Sequence, residues 1–216
     1  MKRLLLAALF ITCSFSATRA ATEQEVVNRS ANILRGFRSM PESEIPDAVL
    51  RNARGLAVMT VVKVGFGISG QGGQGVVVAR TPEGWSGPSF VGTGGVGWGL
   101  QIGAQITEFV FVLNTREAVR AFSQDGNVKL GADVSASAGP VGRDLQASVA
   151  PRAAVYTYSR SKGLFAGVSL EGAIIATQKT ANARYYGRPV RASAILSGRV
   201  PPPARAGRLR AALGGY

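Results

Sequence analysis

The hydrophobic pattern of the chain opens with an apolar run over residues 4–17, broken only by Thr12, Cys13, Ser14 and Ser16. Lys2 and Arg3 precede it, and Thr18-Arg19-Ala20 follows. A cationic start, an apolar centre and small residues before a cut after Ala20 predict a secretory signal over residues 1–20. The run falls short of the roughly 20 apolar residues that a spanning helix needs. An uncleaved N-terminal anchor is the rival reading. Cys13 raises a lipoprotein alternative, but Phe10 and Thr12 stand where such signals carry Leu and a small residue.

Beyond Ala20 the period changes. Val26, Ser30, Ile33, Leu34 and Phe37 recur at helical spacing, with Val27 widening the stripe. Thr22 and Glu25 form a capping-box pair, and Pro41 ends the segment, so a helix is predicted over 22–40. Arg29, Arg35 and Arg38 fall outside the stripe. Such a basic amphipathic helix either lies on a membrane or covers its own domain's apolar face. A second short helix is expected over 46–53, with Pro46 in its first turn and Gly55 beyond its end. Residues 56–64, 76–79, 105–113, 128–138, 153–158 and 164–176 read as strands, rich in β-branched and alternating apolar positions. One helix interrupts them over 115–122, with Asn114 and Glu117 as its expected capping pair.

Fifteen glycines fall between Gly55 and Gly103. Glycine weakens a strand unless the chain bulges, bends or meets another backbone closely. The fold class is therefore α+β: a compact, strongly bent, mostly antiparallel and barrel-like β core with an N-terminal amphipathic helix and a few short helices. Three segments are expected: the signal over 1–20, a domain over 21–200, and a Pro/Arg-rich C-terminal tail over 201–216.

Composition narrows the chemistry. The 216 residues include no histidine and one cysteine, which excludes His-dependent triads and His-bearing zinc sites. No cofactor or metal site is expected. If the signal is removed, no cysteine remains, so an exported fold would rest on packing and backbone hydrogen bonds. The net charge is +13, which points to an anionic partner. Its distribution is uneven. Residues 21–171 are nearly neutral, with 14 basic and 12 acidic side chains. After Glu171 there is no acid, and eight basic residues follow, among them Arg199, Arg205, Arg208 and Arg210. These make the C-terminal segment the first candidate for electrostatic contact with an anionic surface.

Two glycine motifs match the dinucleotide spacing, Gly70-Gln71-Gly72-Gly73-Gln74-Gly75 and Gly92-Thr93-Gly94-Gly95-Val96-Gly97. Neither precedes a helix, and neither has a carboxylate about 20 residues on, so hairpin and bulge glycines are the better reading. Glu108 and Glu171 sit in apolar strands and are the candidates for a carboxylate-dependent hydrolase. A structural ion pair, for instance with Lys63, is the competing role. Nucleic acid is not expected: aromatic residues are 7% and are not interleaved with the basic ones. The exception, Arg184-Tyr185-Tyr186-Gly187-Arg188, reads as a packed turn.

A collinear series of motifs resembles the SYLF-domain family. It begins with Ala53-Arg54-Gly55-Leu56-Ala57-Val58, Val61-Val62-Lys63-Val64-Gly65-Phe66 and Gly75-Val76-Val77-Val78-Ala79-Arg80. It continues through Trp85-Ser86-Gly87-Pro88-Ser89, Gln101-Ile102-Gly103-Ala104-Gln105 and Phe109-Val110-Phe111-Val112-Leu113-Asn114. Gly139-Pro140-Val141-Gly142-Arg143, Tyr156-Thr157-Tyr158-Ser159-Arg160-Ser161-Lys162-Gly163-Leu164-Phe165-Ala166-Gly167, Ser169-Leu170-Glu171-Gly172, Tyr185-Tyr186-Gly187 and Ile195-Leu196-Ser197-Gly198 close it.

The resemblance implies a non-enzymatic lipid-binding module. Eukaryotic members bind phosphoinositides, and fungal members also bind actin. This chain is similar to the bacterial single-domain exported kind. An exported protein does not meet actin, so actin regulation is not carried over. The implied partner is anionic phospholipid or another envelope polyanion, with a periplasmic or envelope location. Lys63, Arg80, Arg143 and Lys162 match basic positions of the family's motifs and, with Arg29, Arg35 and Arg38, are the implied head-group contacts. Guanidinium and ammonium groups pair with phosphate oxygens, which is the chemistry such a site requires. An envelope protein-interaction module without lipid specificity is the alternative.

Overall fold

The computed structural model describes residues 21–39, 45–140, 153–163 and 174–214, except for the side chains of 66–68, 96–102 and 162–163. The expected signal, with Cys13, lies outside the described residues, as do Arg143 and Glu171. No helix among the described residues is long and apolar enough to cross a membrane.

Helix α1 spans Glu23–Arg38 and begins as the sequence predicts. The Thr22 hydroxyl accepts from the Glu25 amide at 3.3 Å, and the Glu25 carboxylate accepts from the Thr22 amide at 2.7 Å. Its apolar stripe is buried. Helix α2 (Asp47–Asn52) follows. Helix α3 covers Arg116–Ser123, but its cap is Thr115, whose hydroxyl accepts from the Ala118 amide at 3.1 Å. The expected cap, Asn114, instead donates through its carboxamide to the Ala153 carbonyl at 3.0 Å.

The β core is built on a ribbon longer than the sequence pattern suggests. Strand β1 runs unbroken from Gly55–Thr81, and β3 from Ser89–Leu113. They pair antiparallel along almost their whole lengths, from Gly55 opposite Leu113 to Val77 opposite Ser89, with a register shift between Phe66 and Ile68. The short β2 (Gly84–Trp85) turns back onto the end of β1. Segments 56–64 and 76–79 are thus parts of one strand. The glycines between them do not end it. They let the ribbon fold over itself: a β-carbon on Gly75 would overlap the Val58 carbonyl and Met59.

The strands β4 (Asn127–Lys129), β5 (Ala136–Ala138), β6 (Val155–Gly163) and β7 (Ile174–Thr177) complete the sheet. The order is β2-β1-β3-β6-β5, with β7 joining β3 to β4, and among the described strands β5 and β6 form the one parallel pair. The expected strand over 128–138 is two short strands, because the chain turns at Gly131, whose φ is +90°, and Asp133 accepts from the Lys129 amide.

Towards its ends the doubled ribbon is covered on both faces, which accounts for the continuous apolar runs there, whereas Val62, Val64 and Ile106 are exposed. Leu56, Val58, Val76, Val78, Val110 and Val112 pack under α1. Ala57, Met59, Val77, Phe109, Phe111 and Leu113 pack with Ala118 and Phe122 of α3 on the other side.

The C-terminal part carries helices α4 (Lys179–Tyr186), α5 (Ala192–Leu196) and α6 (Gly207–Leu213). The segment read from composition as an Arg-rich tail is therefore a folded element. Leu209, Ala212 and Leu213 of α6 are buried in the same cluster as Val27 and Leu34 of α1. The tyrosine motif is the end of α4, where Gly187 turns the chain at a φ of +70°, and Tyr185 is buried, packed as expected.

Candidate functional site

Packing of α6 on α1 joins two sets of arginines that lie far apart in sequence. On the exposed side of α1, Asn32 holds its carboxamide oxygen between two guanidinium groups. Arg35 Nη1 donates to Asn32 Oδ1 at 3.4 Å, and Arg208 Nη2 of α6 donates to the same oxygen at 3.3 Å. The Gln24 carboxamide donates to the Arg205 carbonyl at 3.1 Å, which ties the start of α6 to the start of α1. Arg29, Arg38 and Arg210 are exposed on the same pair of helices. The acids of α1 lie in its first turn, where they suit the helix dipole: Glu25 caps the helix, and Glu23 accepts from Arg184 Nε at 2.6 Å. Burial would raise the Glu23 carboxyl, but a backbone hydrogen bond, Arg184 and Arg205 together hold it below its ordinary value.

The remaining sequence candidates are not brought to this ridge. Arg80 is held elsewhere by contacts within the fold. Its Nε donates to the Ala53 carbonyl at 3.3 Å and its Nη2 to the Leu50 carbonyl at 3.5 Å, where α2 ends. Its guanidinium lies 4.6 Å from the centre of the Trp85 ring. Lys63 stands opposite Gln105 on the ribbon, partly exposed. Lys162 pairs through its backbone with Ile106. Arg199 is exposed, donating to Ser197 Oγ at 3.1 Å, and Arg205 lies 4.3 Å from the Tyr185 ring centre.

Glu108 is engaged in a structural ion pair and is not a free carboxylate, while Glu171 lies outside the described residues. The partner of Glu108 is Arg160, directly opposite on β6, and not Lys63. Arg160 Nε donates to Glu108 Oε2 at 2.8 Å, and Nη2 reaches the same oxygen. The guanidinium also lies 5.2 Å from the Phe37 ring centre, under the end of α1. Side chains alternate along β1, so residues 60 and 63 face opposite ways, and Thr60 is the residue paired with Glu108. That parity keeps Lys63 from the Glu108 carboxylate.

Comparison with known proteins now decides the lineage. Residues 94–216 match the Ysc84 family, described as Las17-binding protein actin regulator. The chain belongs to the Ysc84 family. This agrees with the SYLF motif series. It is 45% identical over 186 residues to the human SH3 domain-containing YSC84-like protein 1, covering 82% of this chain and 54% of that protein. It is 50% identical over 164 residues to LAS seventeen-binding protein 3 of Saccharomyces cerevisiae, covering 74% of this chain and 36% of that protein. Protein YSC84 of the same yeast is 46% identical over 185 residues, 81% of this chain and 40% of that protein. The chain thus spans about half or less of the length of these curated relatives. LAS seventeen-binding protein 3 is named as a binding protein, and none of the three names is that of an enzyme.

The family match runs to residue 216 and includes α6. Arg205, Arg208 and Arg210 therefore lie within the segment that the family shares.

Proposed function

We propose that this chain is an exported, non-enzymatic lipid-binding module that meets anionic phospholipid, or another envelope polyanion, through the basic ridge of α1 and α6. The observation that carries the reading is the convergence of Arg35 and Arg208 on Asn32. Two guanidinium groups share a neutral acceptor, and neither has a carboxylate partner among the described residues. Neighbouring Arg29 and Arg210 extend the field. A basic residue near an anionic membrane contributes about 1 kcal/mol, and several on one face add up to stable peripheral attachment. The N-terminal pattern supports export, and the motif series supports lipid as the ligand class.

Sedimentation of the chain with vesicles tests it. Recovery with anionic vesicles at low salt should exceed recovery with neutral ones and should fall as salt rises. The triple variant Arg35→Gln/Arg208→Gln/Arg210→Gln should lose most of the difference. Equal recovery with both vesicle types would overturn the reading.

The name of LAS seventeen-binding protein 3 favours one further reading, a protein-interaction module without lipid specificity. In that case vesicles are ignored and a protein co-purifies.

A further inference from the structure

A second cationic feature lies where the two ends of the folded ribbon meet. The Arg80 amide donates to the Arg54 carbonyl at 2.9 Å, and the Arg54 amide donates to the Leu113 carbonyl at 2.8 Å. This backbone lock places Arg54 between the end of β1 and the end of β3. Two residues past Asn114, Arg116 opens α3. Between them is a cavity of about 380 Å³ lined by Arg54, Arg80, Thr81, Pro82, Arg116 and Val119.

Three of the six lining residues are arginines, and no carboxylate lines the cavity. The three differ in state. Arg80 is pinned by two carbonyls and the Trp85 ring, so its charge is fixed in place. The guanidinium groups of Arg54 and Arg116 have no ion pair or hydrogen bond among the described residues. Three like charges around one concavity repel one another unless an anion is supplied, and a bound anion relieves that repulsion. A fixed guanidinium beside two adaptable ones suits a tetrahedral oxyanion, which accepts several charge-assisted hydrogen bonds at once.

We infer that the Arg54–Arg80–Arg116 cavity is a binding site for a phosphate oxyanion, either free phosphate or the phosphomonoester of a lipid head group. It shares no residue with the α1–α6 ridge and does not depend on the lipid reading. Arg80 presets the site, and Arg54 and Arg116 close on the ligand.

Titration with inorganic phosphate, followed by calorimetry at constant ionic strength with chloride as the reference anion, tests the site. Arg54→Gln and Arg116→Gln should each weaken binding by about tenfold, the loss of one charge-assisted contact. The double variant should abolish it. Arg188→Gln, a charge change on the loop after α4, should leave it unchanged. Thermal melting of each variant without phosphate checks that the fold is intact. A second arm uses neutral vesicles doped with phosphatidic acid. If the double variant loses phosphate and phosphatidic acid together, the site takes the head group. If it loses phosphate alone, the site takes the free ion, and lipid attachment lies elsewhere. If wild type binds phosphate but no vesicle, the site stands and the lipid reading falls. Phosphate affinity unchanged in the double variant, or lowered equally by Arg188→Gln, overturns the inference.

Discussion

Arg160 and Arg54 belong to the same curled sheet but are treated in opposite ways. Arg160 faces Glu108 across a strand pair, lies against the Phe37 ring, and leaves its side chain only 16% exposed. Its charge is answered inside the fold. Arg54 is exposed beside Arg80 and Arg116, and no carboxylate lines their cavity. The first arrangement spends a charge on structure, while the second leaves charge available to a ligand. Basic residues in this chain therefore cannot be ranked by position on the sequence alone. Their meaning depends on whether an acid sits opposite.

The sharpest way to break the contrast is to remove the answering acid. Glu108→Gln keeps the shape but removes the carboxylate that the largely buried Arg160 guanidinium faces. The cost should be about 2–3 kcal/mol, near the lower edge for a broken buried pair because some solvent reaches it. Urea denaturation followed by circular dichroism measures it. Replacing both partners, as Glu108→Leu/Arg160→Met, should recover much of the loss, since an apolar pair of similar volume tolerates the site. A double variant as unstable as the single one would show that the pair is not the origin of the effect.

Gly36 probes the same pair from the helix side. A β-carbon there would stand 2.7 Å from an Arg160 nitrogen. Gly36→Ala should therefore destabilise by about 1 kcal/mol, despite the similar gain in helix propensity that alanine normally brings. In an Arg160→Met background the sign should reverse, because the flexible methionine yields and the propensity gain remains.

Arg205 is intermediate: exposed, with a ring as its partner 4.3 Å away. Arg205→Gln should cost about 0.5–1 kcal/mol, the worth of an exposed cation–π contact. The tyrosines give a second readout. Burial pushes the Tyr185 hydroxyl up to about 12, against a smaller downward pull from Arg205. Burial also raises Tyr158, with Tyr156 adding to it, and Tyr186, with Tyr185 adding to it. Both of those hydroxyls donate to carbonyls, of Pro140 and Pro88. A raised folded-state pKa means that the proton must stay on in the native state. This stability is complete below about pH 10, the unfolded value, and is lost as pH rises from there through the folded values. Absorbance titration should show these tyrosines ionising late, and Arg205→Gln should delay Tyr185 further.

Much of this was legible in the sequence, and what was not has physical causes. The Thr22–Glu25 capping box is local, and both of its bonds form. The apolar stripe of α1 is local too. The fold-over of β1 is not, because the closeness of Gly75 to Val58 depends on a crossing of residues 17 positions apart. The partner of Glu108 is set by a register between strands 52 residues apart. Helix α6 was masked by composition. Three prolines and four arginines between 199 and 210 read as a tail, although Leu209, Ala212 and Leu213 already stood at helical spacing. The pairing of Arg35 with Arg208 follows only once that helix is docked.

The smallest expected effect tests the other half of the contrast. Arg54→Gln and Arg116→Gln remove exposed charges that have no described partner, so no contact is lost. Each removal also relieves repulsion at the cavity. Stability without added anion should therefore stay within about 0.5 kcal/mol of wild type, with any shift towards greater stability. Added phosphate should reverse that order. It should raise the melting temperature of wild type, because a ligand that binds only the native state stabilises it, and should leave the double variant where it was. A crossing of the two melting curves as phosphate rises separates an arginine held for a ligand from one held for the fold. Arg160 variants should show no such crossing, because their deficit is present at every phosphate concentration.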